Sequence, residues 1–388
     1  MKEALIASAV AACALGMVST SAHALSSVTL YGIADTGIEF VNRVSSATSA
    51  GSKFGMQNYG SLSASRWGLM GQEDLGGGLQ AFFWLESGFQ LGNGSLAGGL
   101  QFSRQSAVGL RQTDWGQLAF GRQYTSLYWG MYRFMPFVTG IAYEPGIVAG
   151  GGSYTEDNTV QYTGKFGGVN VAAHYSFGTG FAYQGSQVSS IPDGGVPGNF
   201  RAQSGVGAGV FYLGNSFGLG TGYDQTNPTA SATSPVGVAR LAYLAASYQF
   251  NRVRFMGGYR WRNSTFGNGV TQIRDDFYWA GVKFALTPAV NLIGGYYYDR
   301  AKRAALTSTS ANMNLANFSQ VSLMATYSLS KTTTLYAAAA YAHNGPLDDD
   351  TLLQTGTALG YGNASTANGL AEGQKSQVGA TVGLQVNF

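Results

Sequence analysis

The sequence predicts an all-β fold, a sixteen-stranded antiparallel transmembrane β-barrel, and three observations carry that prediction. Segments of about ten residues alternate apolar and polar side chains, the length and period of a tilted membrane-crossing strand. The connectors between these segments alternate between short and long. Charge is scarce, at 11% of 388 residues against roughly 25% in soluble domains. Mean hydropathy is nevertheless near zero, so apolar and polar residues are mixed at short range and not gathered into helical membrane spans.

The chain opens with Lys2, an apolar run from Ala4 to Val18, and a small-x-small site at Ala22-His23-Ala24. That is the layout of a secretory signal peptide over residues 1–24, with the barrel over residues 25–388. The apolar run, about 15 residues, is shorter than the roughly 20 a spanning helix needs. Cys13, the only cysteine, lies in this leader, so the remaining chain has no disulfide. The leader holds one Lys and one Glu, so the net charge is +3 with or without it. That balance is too weak to point to nucleic acid.

The last segment shows the strand pattern best. In QVGATVGLQVNF, Ala380, Val382, Leu384, Val386 and Phe388 share one face, and Gly379, Thr381, Gly383, Gln385 and Asn387 share the other. An apolar side chain at every second residue means that one side of the strand meets an apolar medium. Short connectors fall at 75–78, 113–116, 165–168, 213–216, 250–251, 286–289 and 328–332. Long ones fall near 45–57, 92–98, 126–155, 179–203, 226–239, 264–273, 301–316 and 344–374. Seven short and eight long connectors imply sixteen strands, with both chain ends on the short side. Short turns at one rim and long loops at the other belong to outer-membrane barrels. A sheet in lipid must also close, because an open edge leaves backbone groups unpaired. A soluble β-sandwich of this many strands would need a domain boundary, and no linker divides the chain. A helical protein fits worse, because glycine recurs inside the periodic segments.

SSVTLYGIADTGIEF (26–40), SRWGLMGQEDLGGGLQAFFWLESGF (65–89), SRQSAVGLRQTDWGQLAFGRQYTSLY (103–128) and the terminal Phe388 resemble the general-diffusion porins of Gram-negative outer membranes, especially the β-proteobacterial type. The resemblance implies a homotrimer of barrels, set among outer-membrane lipid and lipopolysaccharide. It implies assembly machinery that reads the strand ending in Phe388. The passengers would be small ions and solutes, with no cofactor and no nucleic acid. It also implies that the third outer loop folds inward to narrow the pore. Residues 126–155 match that loop, with PFVTG (136–140) in place of its tip motif. An aromatic, Met-rich stretch such as WGMYRFMPFVTG (129–140) would be a liability in water, which agrees with a packed position.

Alternation assigns the lumen face. Arg66 and Gly68 point in, because Trp67 and Leu69 suit lipid; Gln80, Trp84 and Glu86 point in opposite Ala81, Phe83 and Leu85. Tyr31, Ile33 and Asp35 share the inward face of the first strand, and Arg252, Arg254, Arg260 and Arg262 point in opposite Val253, Phe255, Tyr259 and Trp261. An arginine on the lipid face at mid-depth would cost roughly 2–4 kcal/mol. Arg104 is ambiguous by periodicity, since Val108 and Leu110 share its parity. The resemblance decides it as lumenal, together with Ser106.

The resemblance makes Arg66 and Arg104 the basic wall of the pore constriction and places Arg122 at a subunit contact. The loop departs from the family pattern. Arg133 stands where relatives often carry acids, and Glu144 is the only carboxylate before the final hinge at Glu156 and Asp157. If Arg133 faces the lumen, the pore prefers anions; if it pairs with Glu144 or turns into the wall, the pore is nearly neutral. The constriction is therefore expected from Asp35, Arg66, Glu86, Arg104, Arg133 and Glu144.

Enzyme readings fit less well. His174 and His343 lie at the ends of separate strands, with no neighbouring nucleophile motif in sequence. No His/Cys cluster offers a transition-metal site, and LDDDT (347–351) reads as a solvated charge run at the rim. Trp84, Tyr128, Trp129 and Tyr132 could form an aromatic track, which keeps open a substrate-specific channel for phosphate, organic anions or sugar.

Overall fold

The computed structural model describes residues 27–45, 50–57, 59–138, 142–150, 154–180, 194–227, 236–305, 307–313, 315–347, 369–371 and 373–388. The expected leader and most of LDDDT lie outside these residues. The described chain is nearly all strand. In order the strands are β1 (Ser27–Ser45), β2 (Ala50–Met56), β3 (Arg66–Gly76), β4 (Leu79–Gly88), β5 (Gln105–Gln112) and β6 (Gly116–Tyr124). Then follow β7 (Thr155–Phe166), β8 (Val169–Ser176), β9 (Gly205–Leu213), β10 (Phe217–Thr226), β11 (Val236–Phe250) and β12 (Val253–Phe266). The last are β13 (Thr271–Ala285), β14 (Val290–Ala304), β15 (Phe318–Ser328), β16 (Thr333–His343) and β17 (Ser376–Asn387). Two short helices, α1 (Ser126–Met131) and α2 (Gly146–Ala149), lie between β6 and β7.

These seventeen segments make sixteen staves. The lower half of β1 pairs with β3, from Ser27↔Gln72 to Ile33↔Arg66. Its upper half pairs with β2, from Ile38↔Met56 to Ser45↔Ala50. β2 and β3 are thus two halves of one stave, separated by residues 57–65. The expected first long connector, 45–57, is therefore mostly strand. Its alternation is masked because glycine, serine and Lys53 separate the outward Phe54 and Met56. β1 also pairs with β17, from Ile33↔Asn387 to Val41↔Gly379, and this closes the barrel. Phe388 adds the last rung: its backbone exchanges hydrogen bonds with Gly32 at 2.8 and 3.0 Å. A Cβ at Gly32 would come within 2.3 Å of the Phe388 ring, so only glycine admits it.

The two faces separate as the alternation requires. Leu30, Ile38, Phe54, Val108, Leu244 and Leu323 are exposed on the outside, where the medium is lipid. The opposite face carries Asp35, Glu39, Arg260, Arg262 and Asp275, all buried. Arg260 and Arg262 point inward as expected. Both ion-pair with Asp275 of β13, Arg260 at 2.6 Å, and all three are at most 1% exposed.

Candidate functional site

The segment after β6 turns into a helix because its first residues supply the cap. Thr125 is extended, and its Oγ1 accepts a hydrogen bond from the Tyr128 backbone N–H at 3.2 Å, as a helix N-cap does. Leu127, Met131, Phe134, Met135 and Phe137 are then buried. The wall beneath them is built of glycine, which lets backbone meet backbone. A Cβ at Gly209 of β9 would lie 2.5 Å from the Ser126 carbonyl oxygen, and one at Gly220 of β10 would lie 2.5 Å from the Phe134 ring. On β13, a Cβ at Gly281 would lie 2.3 Å from Pro136.

Polar anchors fasten the segment along its length. His174 Nδ1 on β8 accepts from Ser126 N–H at 3.1 Å, and Asp224 Oδ1 on β10 accepts from Leu127 N–H at 3.3 Å. Trp279 of β13 donates its indole N–H to the Phe134 carbonyl at 2.9 Å. Glu144 Oε1 accepts from Phe137 N–H at 2.9 Å and from the Tyr297 hydroxyl of β14 at 2.8 Å. Gln320 of β15 donates to the Tyr143 carbonyl at 3.0 Å, and the Tyr143 hydroxyl donates to Glu39 of β1 at 3.0 Å. The segment begins at β6 and touches side chains of β8, β10, β13, β14, β15 and β1. Each belongs to the face opposite the exposed apolar band.

Across from it, the wall of β3 to β6 carries a compact charged group. Glu86 meets Arg104 Nε at 2.6 Å and Arg66 Nε at 3.6 Å, and accepts from the Tyr31 hydroxyl at 2.8 Å. Arg104 also donates to the hydroxyls of Tyr124 at 2.6 Å and Tyr59 at 3.4 Å. The rings of Tyr132, Tyr128 and Tyr154 stack in sequence, with centroids 5.5 and 4.9 Å apart. Burial pushes the Tyr128 and Tyr154 hydroxyls above the ordinary phenol range.

Arg133 does not pair with Glu144. Its guanidinium sits over Tyr132, Phe211 and Trp129 at 4.9, 5.1 and 5.5 Å, and its Nε donates to the Trp129 carbonyl at 3.1 Å. Cation–π contact can hold a charge at a partly exposed position without neutralising it, and Arg133 has no ion pair among the described residues. On the short-turn side of α1, a cavity of ≈ 490 Å³ is lined by Asp74, Gln80, Arg111, Gln117, Trp129 and Lys165.

Two expected site residues serve as anchors. Asp35, fully buried, accepts from Ser61 N–H, Ser63 N–H, the Tyr336 hydroxyl and the Gln385 amide at 2.7–3.0 Å. It thereby clamps the inserted turn between β2 and β3. Glu144 is consumed in holding the loop. Ser106 is a correction: it pairs in register with the outward Leu85, whereas Gln105 pairs with the inward Glu86. Arg104 still reaches Glu86 because it precedes β5, where strand alternation no longer governs its direction. Arg122 sits opposite Ser106 and ion-pairs with Asp157 of its own chain.

Sequence reasoning missed the group around His174. Ser126 Oγ lies 2.8 Å from its Nδ1, and Glu156 lies 3.1 Å from its Nε2. The set has the order of a nucleophile, base and acid, but Ser126 is fully buried and the same Nδ1 already accepts the Ser126 backbone N–H. The arrangement is an anchor for α1. The sequence placed His174 at a strand end; nothing in it brought Ser126 there.

The sequence profile described as Gram-negative porin matches residues 7–347. The chain belongs to the Gram-negative porin family. An outer membrane porin of Bordetella pertussis is 34% identical to this porin, over 93% of the chain and 99% of the relative. Outer membrane porin protein 32 of Delftia acidovorans is 32% identical, over 84% and 93%. Among solved structures, the anion-selective porin from Comamonas acidovorans shares the fold. Its TM-score is 0.69 at 24% identity, covering 94% of this chain and all of that one. The porin is a diffusion channel of the outer membrane, not an enzyme.

Proposed function

We propose that the porin prefers anions, and that residues 126–138 and 142–150 fold into the lumen to form its constriction against the wall of Arg66 and Arg104. One observation carries this reading: the charges left facing the gap are unequal. Among the described residues, Arg66 and Arg104 share the one carboxylate Glu86 and Arg133 has no ion pair, whereas Glu144, Asp35 and Glu39 accept from the neutral hydroxyls of Tyr297, Tyr336 and Tyr143. The anion selectivity of the Comamonas porin supports the same preference. A chloride ion ~5 Å from one guanidinium gains about 1 kcal/mol at water-like permittivity and about 3 at an effective value near 20. Since 1.4 kcal/mol is tenfold, one such net charge suffices for a clear preference. The zero-current potential in a planar bilayer under a KCl gradient tests it. The wild type should favour chloride, and Arg133→Asp should lose most of that preference. Equal potentials would place Arg133 away from the ion path.

We also propose a homotrimer, and recognition of the C-terminal strand by assembly machinery. Both follow from family membership, and OmpT of Vibrio cholerae, which shares this fold, has a trimer form. Phe388 closes the last rung on Gly32, so its deletion removes both a ring contact and two backbone hydrogen bonds. The deletion should lower trimer yield on native gels of outer-membrane extracts; normal yield would contradict the role given to Phe388.

A further inference from the structure

The stave made of β2 and β3 carries more chain than its neighbour can pair. Ile38 pairs with Met56 and Ile33 pairs with Arg66, so four residues of β1 lie opposite nine. An excess of five residues cannot stay in the ladder. What these residues touch shows which way they leave it. Asp35, Tyr336 and Gln385 are buried on the inward face of β1, β16 and β17, beside the outward Leu335 and Leu384. The Ser61 and Ser63 backbone N–H groups donate to the Asp35 carboxylate at 3.0 and 2.8 Å. Ser65 Oγ accepts from the Asp35 N–H at 3.0 Å and donates to its carbonyl at 2.8 Å. The excess is therefore folded against the inside of the barrel. Gly60 makes its sharp turn at φ +102°, where a Cβ would lie 2.1 Å from the Ser63 carbonyl oxygen.

From there the turn reaches both sides of the gap. On one side the Ser61 carbonyl accepts from the Ala142 N–H at 3.0 Å. Leu62 packs against the buried cluster that includes Phe137, Ala142 and Tyr143. On the other side the Tyr59 hydroxyl accepts from Arg104 Nη1 at 3.4 Å. A Cβ at Gly88 of β4 would lie 2.7 Å from the same hydroxyl, so the phenol lies close against the wall. Tyr59 is only partly buried, and its ring borders Arg104, which Glu86 and Tyr124 also hold. The turn thus joins the segment between β6 and β7 to the arginine wall.

We infer that residues 59–65 are a second inward constriction element, in which the Tyr59 ring narrows the passage beside Arg104 and Asp35 is the positioning residue that holds the turn in place. Arg104 supplies charge at this point of the pore and Tyr59 supplies width, two quantities that set selectivity separately. Asp35 does its part as a carboxylate. It accepts from Ser61, Ser63, Tyr336 and Gln385, and an asparagine there would turn a donor towards one of these donors. The inference rests on the reading of residues 126–138 and 142–150 as the lumenal constriction, because the turn is tied to that segment at Ala142.

The experiment measures solute cut-off by swelling of proteoliposomes in a pentose and in a trisaccharide, beside single-channel conductance and the zero-current potential under a KCl gradient. Tyr59→Ala should raise the conductance and admit the trisaccharide severalfold faster relative to the pentose. Its zero-current potential should keep its sign, because no charge is altered. Tyr59→Phe, which restores the ring without the hydroxyl, should recover most of the narrowing. Asp35→Asn should shift the cut-off in the same direction as Tyr59→Ala. If Asp35→Asn does not fold, deletion of residues 60–64 should shift it instead, since that removes the five-residue excess and leaves β2 and β3 in one register against β1. A wild-type cut-off in folded Tyr59→Ala would overturn the inference, and so would equal widening by Tyr59→Ala and Tyr59→Phe. The two readings fail separately. An unshifted potential in Arg133→Asp counts against the lumenal segment, whereas a shifted potential there with an unchanged cut-off in Tyr59→Ala counts against the turn alone.

Discussion

Replacing both Arg66 and Arg104 with glutamine should abolish most of the chloride preference of the channel. In the proposed constriction the charges then fall from three cations and one anion to Arg133 and Glu86, a net change of two. At about 1–3 kcal/mol per charge, the chloride-to-potassium permeability ratio should drop by roughly tenfold or more. Glu86 keeps the Tyr31 hydroxyl as a donor, so the wall retains one of its own contacts. The zero-current potential under a KCl gradient reads this directly, and the double variant should shift it about as far as Arg133→Asp does, which also changes the net charge by two. An unshifted potential would show that the ion path does not pass this wall.

Asp275→Ala should be the most damaging single change for stability. Arg260 and Arg262 are fully buried, and Asp275 accepts a hydrogen bond from each; the Arg260 guanidinium also lies 5.5 Å from the centre of the Phe277 ring. Removing the carboxylate leaves two buried cations short of it, and breaking a buried pair in this way costs about 3–5 kcal/mol. The urea midpoint for unfolding in detergent, followed by gel mobility of heated and unheated samples, should fall accordingly. Replacing the whole group, with Arg260→Met/Arg262→Met/Asp275→Leu, should restore much of the loss, because neither guanidinium is then left buried without its carboxylate. If Asp275→Ala is as stable as wild type, other groups satisfy both guanidinium ions.

Much of the architecture is legible in the sequence. A strand between lipid and a wet lumen must place opposite chemistries on successive residues, so Phe83 against Trp84, or Trp261 against Arg260, reveals its direction without coordinates. The same logic fails at the margins. β2 is hidden because Lys53 and the glycines around Phe54 blur the alternation. Ser106 misleads because it shares its parity with Arg104, which lies just outside the strand and is steered by Glu86 instead.

By itself, the sequence determined the strand count, the order of turns and loops, and most of the outward and inward faces, those of Arg260 and Arg262 among them. All of these follow from local rules: period-two patterning, turn chemistry and the cost of a charge in lipid. Only the tertiary structure decided what each inward charge does. Asp35 and Glu144 look like pore carboxylates in sequence, yet one clamps residues 57–65 and the other holds Phe137 and Tyr297. Arg133 looks like a partner for Glu144, yet it rests in a cage of Trp129, Tyr132 and Phe211. Asp275 and His174 gave no local signal, because their partners come from other strands or from the loop. The physical reason is that closing the barrel brings distant residues to hydrogen-bonding distance, and a buried charge is governed by whichever donors closure delivers to it.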